Sequence, residues 1–180
     1  MQAISSIEEL VEALPHCSGT EFIDITKKLS LGPEDLEPFA HWDEDSYTRN
    51  CVSRNDTYEL ILLCWEPGQE TPIHCHNGEE CWVYSLQGEL EERRFKLEDE
   101  QKENDDLHET RRAMMREGRV AYMNDDMGFH SLHNLSDERA MTLHLYVNPI
   151  DSCRIYDEEE ECFIRKEMQY TSFEGELLKD

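Results

Sequence analysis

From position 46 onward the chain is a series of short runs rich in aromatic and β-branched residues, cut by turn signals, and no other feature restricts its fold as strongly. The runs lie at 47–52, 58–65, 71–76, 81–86, 89–97, 119–123, 130–134, 139–147 and 154–156. Asn55-Asp56, Pro67-Gly68, Asn77-Gly78, Gln87-Gly88, Asn124-Asp125 and Ser136-Asp137 separate most of them, each pair suited to a tight turn. No helical pattern intervenes between successive runs, so the crossovers that parallel strands require are missing. An all-β core folded as an antiparallel barrel or sandwich follows.

The flanks of this core read differently. Residues 1–40 form a helical segment: Ser5 or Ser6 can cap a first helix, each with a glutamate three residues on (Glu8, Glu9), and Ile7, Leu10, Val11 and Leu14 recur at helical spacing until Pro15. A second helix over 21–29 presents Phe22, Ile25 or Thr26, and Leu29 on a face and ends at Gly32-Pro33, with a further turn before Pro38. The barrel is set at 46–157, and 158–180 is an acidic tail that offers Cys162-Phe163-Ile164 as an edge strand and then frays. The stretch 98–109 is acidic, nearly devoid of apolar residues, and expected to be a solvated hairpin loop. One domain suffices for 180 residues.

Charge and cysteine content narrow the partners. Forty-two acidic against seventeen basic residues give a net charge of −25, which repels nucleic acid and anionic membrane surfaces. No apolar run approaches the roughly 18 residues of a membrane span. Seven cysteines, without CxxC or paired spacing and without a secretory leader ahead of them, fit free thiols in a reducing cytoplasm.

The stretch that carries chemistry is 68–81, which contains His74-Cys75-His76. Alternation on an extended segment puts both imidazoles on one face and Cys75 on the other. The third ligand is best supplied by His130, which a glycine-bearing turn delivers onto a strand; His133 competes but has the wrong parity to share its face. His16, His41 and His108 stand in helical or loop contexts and are expected at the surface. Three neutral histidines leave the charge of a divalent ion uncancelled and coordination positions open. Iron(II) in such a site suits oxygen chemistry, and zinc suits hydrolysis or hydration.

The spacing Gly68-x5-His74-x-His76-x11-Gly88 resembles the first cupin motif, in which a glutamate usually follows the His-x-His; here Cys81 stands at that place and Glu80 is one residue out of step. The second motif is reduced to His130-x3-Asn134. A cupin with cysteine in place of the glutamate resembles the cysteine dioxygenase family. Further stretches agree in order over 47–156: Tyr47-Thr48-Arg49-Asn50, Ile61-Leu62-Leu63-Cys64-Trp65, Leu86-Gln87-Gly88, Ala121-Tyr122-Met123-Asn124-Asp125 and Leu143-His144-Leu145-Tyr146.

The resemblance implies a cupin jelly-roll barrel in which His74, His76 and His130 hold iron(II). It implies that L-cysteine and O2 react to give L-cysteine sulfinate, on a route to taurine or sulfate, in a cytoplasmic monomer. Arg49 matches the anchor for the substrate carboxylate, with Tyr47 assisting on the same face. Thr142, His144 and Tyr146 alternate on one strand, with threonine where the family carries serine; His144 is expected to orient Tyr146 by a hydrogen bond, and Tyr146 to lie close to the reacting groups. Cys81 and Tyr146 match the pair that forms a thioether cofactor in animal-type members. Cys75 and Glu80 depart from the usual residues beside the motif, and Cys51, Cys64, Cys153 and Cys162 receive no role. Alternatives are a 3-mercaptopropionate-type thiol dioxygenase, which Arg49 and Cys81 disfavour, a non-catalytic metal-binding cupin, and a zinc or manganese isomerase or hydratase.

Overall fold

The structure, a computed structural model, describes residues 3–98 and 107–179. It opens with α1 (Ile7–Ala13) and α2 (Glu21–Thr26), followed by 3-10 turns at Pro33–Asp35 and Glu37–Phe39. Ser6 caps α1 by accepting the Glu9 N–H at 3.2 Å, while the Glu9 carboxylate accepts from the Ser5 N–H at 2.9 Å. The second helix stops before the expected 29 because Lys28 and Ser30 instead exchange backbone hydrogen bonds with Ile4.

Twelve strands follow among the described residues: β1 (Thr48–Arg54), β2 (Tyr58–Trp65), β3 (Glu80–Gln87), β4 (Glu89–Leu97), β5 (Leu107–Arg116), β6 (Val120–Met123), β7 (Phe129–His133), β8 (Ala140–Val147), β9 (Ser152–Asp157), β10 (Cys162–Glu167), β11 (Ser172–Phe173) and β12 (Glu176–Leu177). One sheet has the order β12-β11-β1-β2-β8-β3-β6. Facing it are β5-β4-β7 and β10-β9, which His74 joins by bridging to His130 on one side and to Ile155 on the other.

Alternation sorts the side chains of the large sheet into two cores. Leu60, Leu62 and Cys64 of β2, Trp82 and Tyr84 of β3, and Leu143 and Leu145 of β8 pack against Leu10, Leu14, Phe22 and Leu36 of the N-terminal segment. The opposite faces of the same strands, with Ile61, Leu63, Trp65, Cys81, Val83 and Tyr146, line the interior between the sheets. Because β2 is covered on both faces, all of its residues are buried, and its sequence is a continuous run with Glu59 as the only charged residue.

Three sequence expectations are corrected here. Residues 71–76 do not form a regular strand: the segment is held by isolated bridges because it spans the seam between β7 and β9. The loop expected over 98–109 ends at 107, where β5 begins and pairs with β4; residues 99–106 lie outside those described. The C-terminal residues do not fray. The edge strand expected at Cys162-Phe163-Ile164 is β10, paired with β9, and beyond it β11 lies parallel to β1, with Ser172 fully buried and its hydroxyl donating to Asn50 Oδ1 at 2.9 Å.

A 3-10 turn at Asp125–Met127 reverses the chain into β7 through Gly128, whose φ of 97° is open to glycine but strained for other residues. An added Cβ there would overlap the Phe95 carbonyl oxygen. Gly128→Ala is therefore expected to lower stability by about 2–3 kcal/mol, read by urea denaturation.

Candidate metal centre

His74, His76 and His130 come together with one potential ligand atom of each lying within 4.8 Å of the others. Two backbone hydrogen bonds fix the approach: His74 N–H donates to His130 O at 2.9 Å, and His130 N–H donates to His74 O at 3.0 Å. Asp125, which sequence reasoning read only as a turn residue, accepts from the backbone N–H groups of His76 and Gly78, both at 2.7 Å, and so holds the exit of the His-x-His segment.

Two of the three imidazoles are held by a hydrogen bond. His74 Nδ1 lies 2.9 Å from Pro72 O and therefore donates to it, leaving Nε2 free. His130 Nδ1 lies 3.0 Å from Glu92 Oε1, with the same consequence for its Nε2. His76 Nδ1 is buried without a hydrogen-bond partner. A buried polar atom without a partner beside two free imidazole nitrogens fits a site completed by a metal ion.

The other candidates stand outside the ligand group. His133 is on the other face of β7, paired with Glu70 at 2.6 Å and Ser131 at 2.7 Å. Glu80 accepts from the Tyr122 hydroxyl at 2.7 Å. Cys75 lines the pocket but lies outside the ligand group. His16 and His108 are exposed, while His41 is half-buried and donates to Gly175 O at 3.0 Å.

His74 and His76 line a pocket together with Tyr47, Arg49, His144 and Tyr146. Arg49 Nε is buried without a partner. Tyr47 stacks on Trp65, ring centroids 4.9 Å apart. Trp65 Nε1 donates to Thr142 Oγ1 at 3.0 Å, and that hydroxyl pairs with His144 Nε2 at 2.9 Å. The expected hydrogen bond from His144 to Tyr146 is replaced: the two rings lie nearly parallel, centroids 6.1 Å apart, and the imidazole is engaged by Thr142, its nearest neighbour on the same strand face. Tyr146 is instead directly opposite Cys81 in the β3–β8 ladder.

Burial sets the protonation of these groups. It holds His74 down to about 4, with the Arg49 charge adding to the effect. It pushes His76 and His130 well below the ordinary imidazole range, reinforced by their proximity to the other histidines. His144 is lowered by burial and then by Arg49. In the opposite sense, burial raises the Tyr146 phenol, with Cys81 adding and Arg49 opposing, and raises the Cys81 thiol, with Tyr146 opposing. At neutral pH the site therefore offers lone pairs on its imidazoles and protons on its phenol and thiol.

A histidine whose folded value lies below its unfolded value of about 6.5 takes up a proton on unfolding. Its contribution to stability is complete above that unfolded value and is lost as pH falls towards the folded one, near 4 for His74. The urea midpoint of the metal-free protein should thus drop between about pH 7 and pH 5, and His144→Gln should flatten the drop by up to about 1.4 kcal/mol per pH unit.

Comparison with known proteins accords with this arrangement. A family model described as cysteine dioxygenase type I matches residues 3–159. The cysteine dioxygenase type 1 of Danio rerio is 33% identical over 161 residues, covering 85% of this chain and 80% of the relative. That of Homo sapiens is 38% identical over 128 residues, covering 70% of this chain and 63% of the relative, so the alignment spans less than two thirds of the human protein. Among solved structures, a Klebsiella pneumoniae protein with a double-stranded β-helix domain superposes with a TM-score of 0.55 at 14% identity, over 68% of this chain and 95% of the other. A Thermus thermophilus protein superposes at 0.51 with 22% identity, over 63% and 94%. Those two likenesses concern the fold alone, the double-stranded β-helix of cupins. The family match spans β1 to β9 and with them every side chain of the pocket named above, and the chain belongs to the cysteine dioxygenase type I family.

Proposed function

We propose that this protein is an iron(II)-dependent thiol dioxygenase that converts L-cysteine and O2 to L-cysteine sulfinate. The observation that carries this reading is a triad of neutral imidazoles, two of which line a pocket together with an arginine whose Nε has no protein partner. His74, His76 and His130 would hold the iron. Iron(II) bound there supplies the redox chemistry that joins O2 to a thiolate sulfur, both oxygen atoms ending on that sulfur. A ligand set without carboxylates leaves the ion's charge to be balanced by an anionic substrate.

Arg49 binds the substrate carboxylate through charge-assisted hydrogen bonds, which fixes the end of the molecule remote from sulfur. Tyr47, braced by Trp65, offers its hydroxyl beside Arg49. Tyr146 keeps its proton and can donate it as a hydrogen bond to the reacting groups, while Thr142 and Trp65 fix His144 next to it. The register that sets Cys81 opposite Tyr146 supports a thioether between Cys81 Sγ and a carbon of the Tyr146 ring. The thiol and the ring carbon each lose a proton, and the two electrons released with them reduce one O2 to hydrogen peroxide. The seven cysteines are unpaired, which supports a cytoplasmic setting, and no helix among the described residues is long and apolar enough to cross a membrane. We place the activity in cysteine catabolism towards taurine or sulfate, in a monomer.

Protein loaded anaerobically with iron(II) should consume O2 on addition of cysteine and yield sulfinate; absence of both defeats the reading. Arg49→Gln is expected to lower kcat/KM for cysteine about 10–100-fold, the loss of a charge-assisted anchor, and to leave cysteamine, which lacks a carboxylate, nearly unaffected. For the crosslink, intact mass after turnover should be lower by two hydrogen atoms in the parent. Neither Cys81→Ala nor Tyr146→Phe should show that deficit.

A further inference from the structure

The three imidazoles of the triad differ in what stands behind them. Behind His74 stands the neutral carbonyl of Pro72, whereas behind His130 stands the carboxylate of Glu92. Among the described residues, Glu92 is the one acidic side chain hydrogen-bonded to an imidazole of the triad. It is 4% exposed, and β4 delivers it diagonally across the ladder, since Arg94 is the residue paired with His130 and Glu92 the one paired with Leu132.

A carboxylate buried this deeply is costly without a countercharge. Arg94, 8% exposed, supplies one: its Nε donates to Glu92 Oε2 at 3.0 Å. Its Nη2 donates to Tyr122 O at 3.0 Å, and Nη1 lies 3.8 Å from Met127 Sδ. The guanidinium is thus fixed at three points, and the two oxygens of Glu92 are divided, one for Arg94 and one for His130. Leu90, Glu92 and Arg94 share the inward parity of β4, a position normally filled by apolar side chains.

We infer that Glu92 is a positioning residue for the metal centre: its carboxylate holds the proton of His130 on Nδ1, orients Nε2 towards the metal and strengthens it as a donor, while Arg94 keeps the carboxylate tolerable in the metal-free protein. A hydrogen-bonded anion behind a ligating imidazole raises its basicity, and loss of such a partner typically weakens metal binding about 10–100-fold. The two members of the ion pair therefore act on metal affinity in opposite directions. Glu92 attracts the cation; Arg94 partly cancels that attraction.

The inference rests on reading the triad as a metal centre, and its test uses Co(II) alone, without thiol or O2. Chelator-stripped protein is titrated with Co(II) in competition with a chromophoric chelator, and the urea midpoint of each metal-free form is measured in parallel. Glu92→Gln is expected to weaken Co(II) binding about 10–100-fold. Arg94→Met is expected to lower the metal-free midpoint and to leave affinity unchanged or tighter. A Glu92→Gln affinity within about threefold of the parent's, which is less than 1 kcal/mol, overturns the proposal. So does an Arg94→Met affinity as weak as that of Glu92→Gln, since the pair would then be scaffolding only.

If Glu92→Gln fails to fold, the imidazole nitrogen shifts of the metal-free parent decide. A proton on His130 Nδ1 is the expected result, and a proton on Nε2 overturns the inference. A parent that binds Co(II) but never oxidises cysteine defeats the proposed reaction and leaves this inference standing.

Discussion

The two backbone hydrogen bonds exchanged between His74 and His130 are the contact on which the remainder of the site depends. They join a segment that belongs to no regular ladder to the strand carrying the third imidazole. On the same edge, Thr71 N–H donates to Leu132 O at 2.9 Å and Thr71 Oγ1 accepts from Leu132 N–H at 3.0 Å. On the other, Tyr156 N–H donates to Ile73 O at 2.8 Å and Cys75 N–H to Arg154 O at 3.1 Å. The seam between two small sheets is thus closed by the main chain of the His-x-His segment, and the spacing of the imidazoles is set by peptide geometry before any ion binds.

Electrostatics within that frame run against those of the surface. The chain carries a net charge of −25, yet its pocket holds neutral histidines and an arginine. Desolvation produces this inversion: it removes protons from the imidazoles and retains them on Tyr146 and Cys81. Burial thus widens the pH range over which these residues keep the neutral forms that metal binding and hydrogen-bond donation need.

Much of this was legible in the sequence, for reasons that also explain the gaps. Turn pairs and apolar alternation located most strands, parity put His74 and His76 on one face, and the glycine-bearing turn before it singled out His130. Parity gives a face but not a ladder partner, so 71–76 reads in the sequence as a regular strand. It also set His144 beside Tyr146 without revealing that Thr142, two residues back on the same face, engages the imidazole. The β5 strand escaped because only Met115 of its ten residues is buried, leaving no apolar alternation to detect. Glu92 was visible in principle: it shares parity with Leu90, and a charge on an inward face demands a partner. Cys162-Phe163-Ile164 marked β10, whereas β11 and β12 were hidden because each is only two residues long and β11 docks through backbone bonds that composition does not encode.

That C-terminal return bears on how the centre is assembled. Thr171 N–H donates to Arg49 O at 2.7 Å, and Thr171 Oγ1 accepts from Arg49 N–H at 3.3 Å across a separation of 122 residues. Tyr170 reaches both Arg54 and the buried Glu59 in the neighbouring strand. The imidazoles are delivered by residues 74 to 130, but the strand that bears the arginine stays an open edge until residues 170–173 arrive. During synthesis the histidine ligands thus leave the ribosome well before the segment that fixes the arginine strand, and a nascent chain can gather its metal ligands while its substrate anchor is still loose.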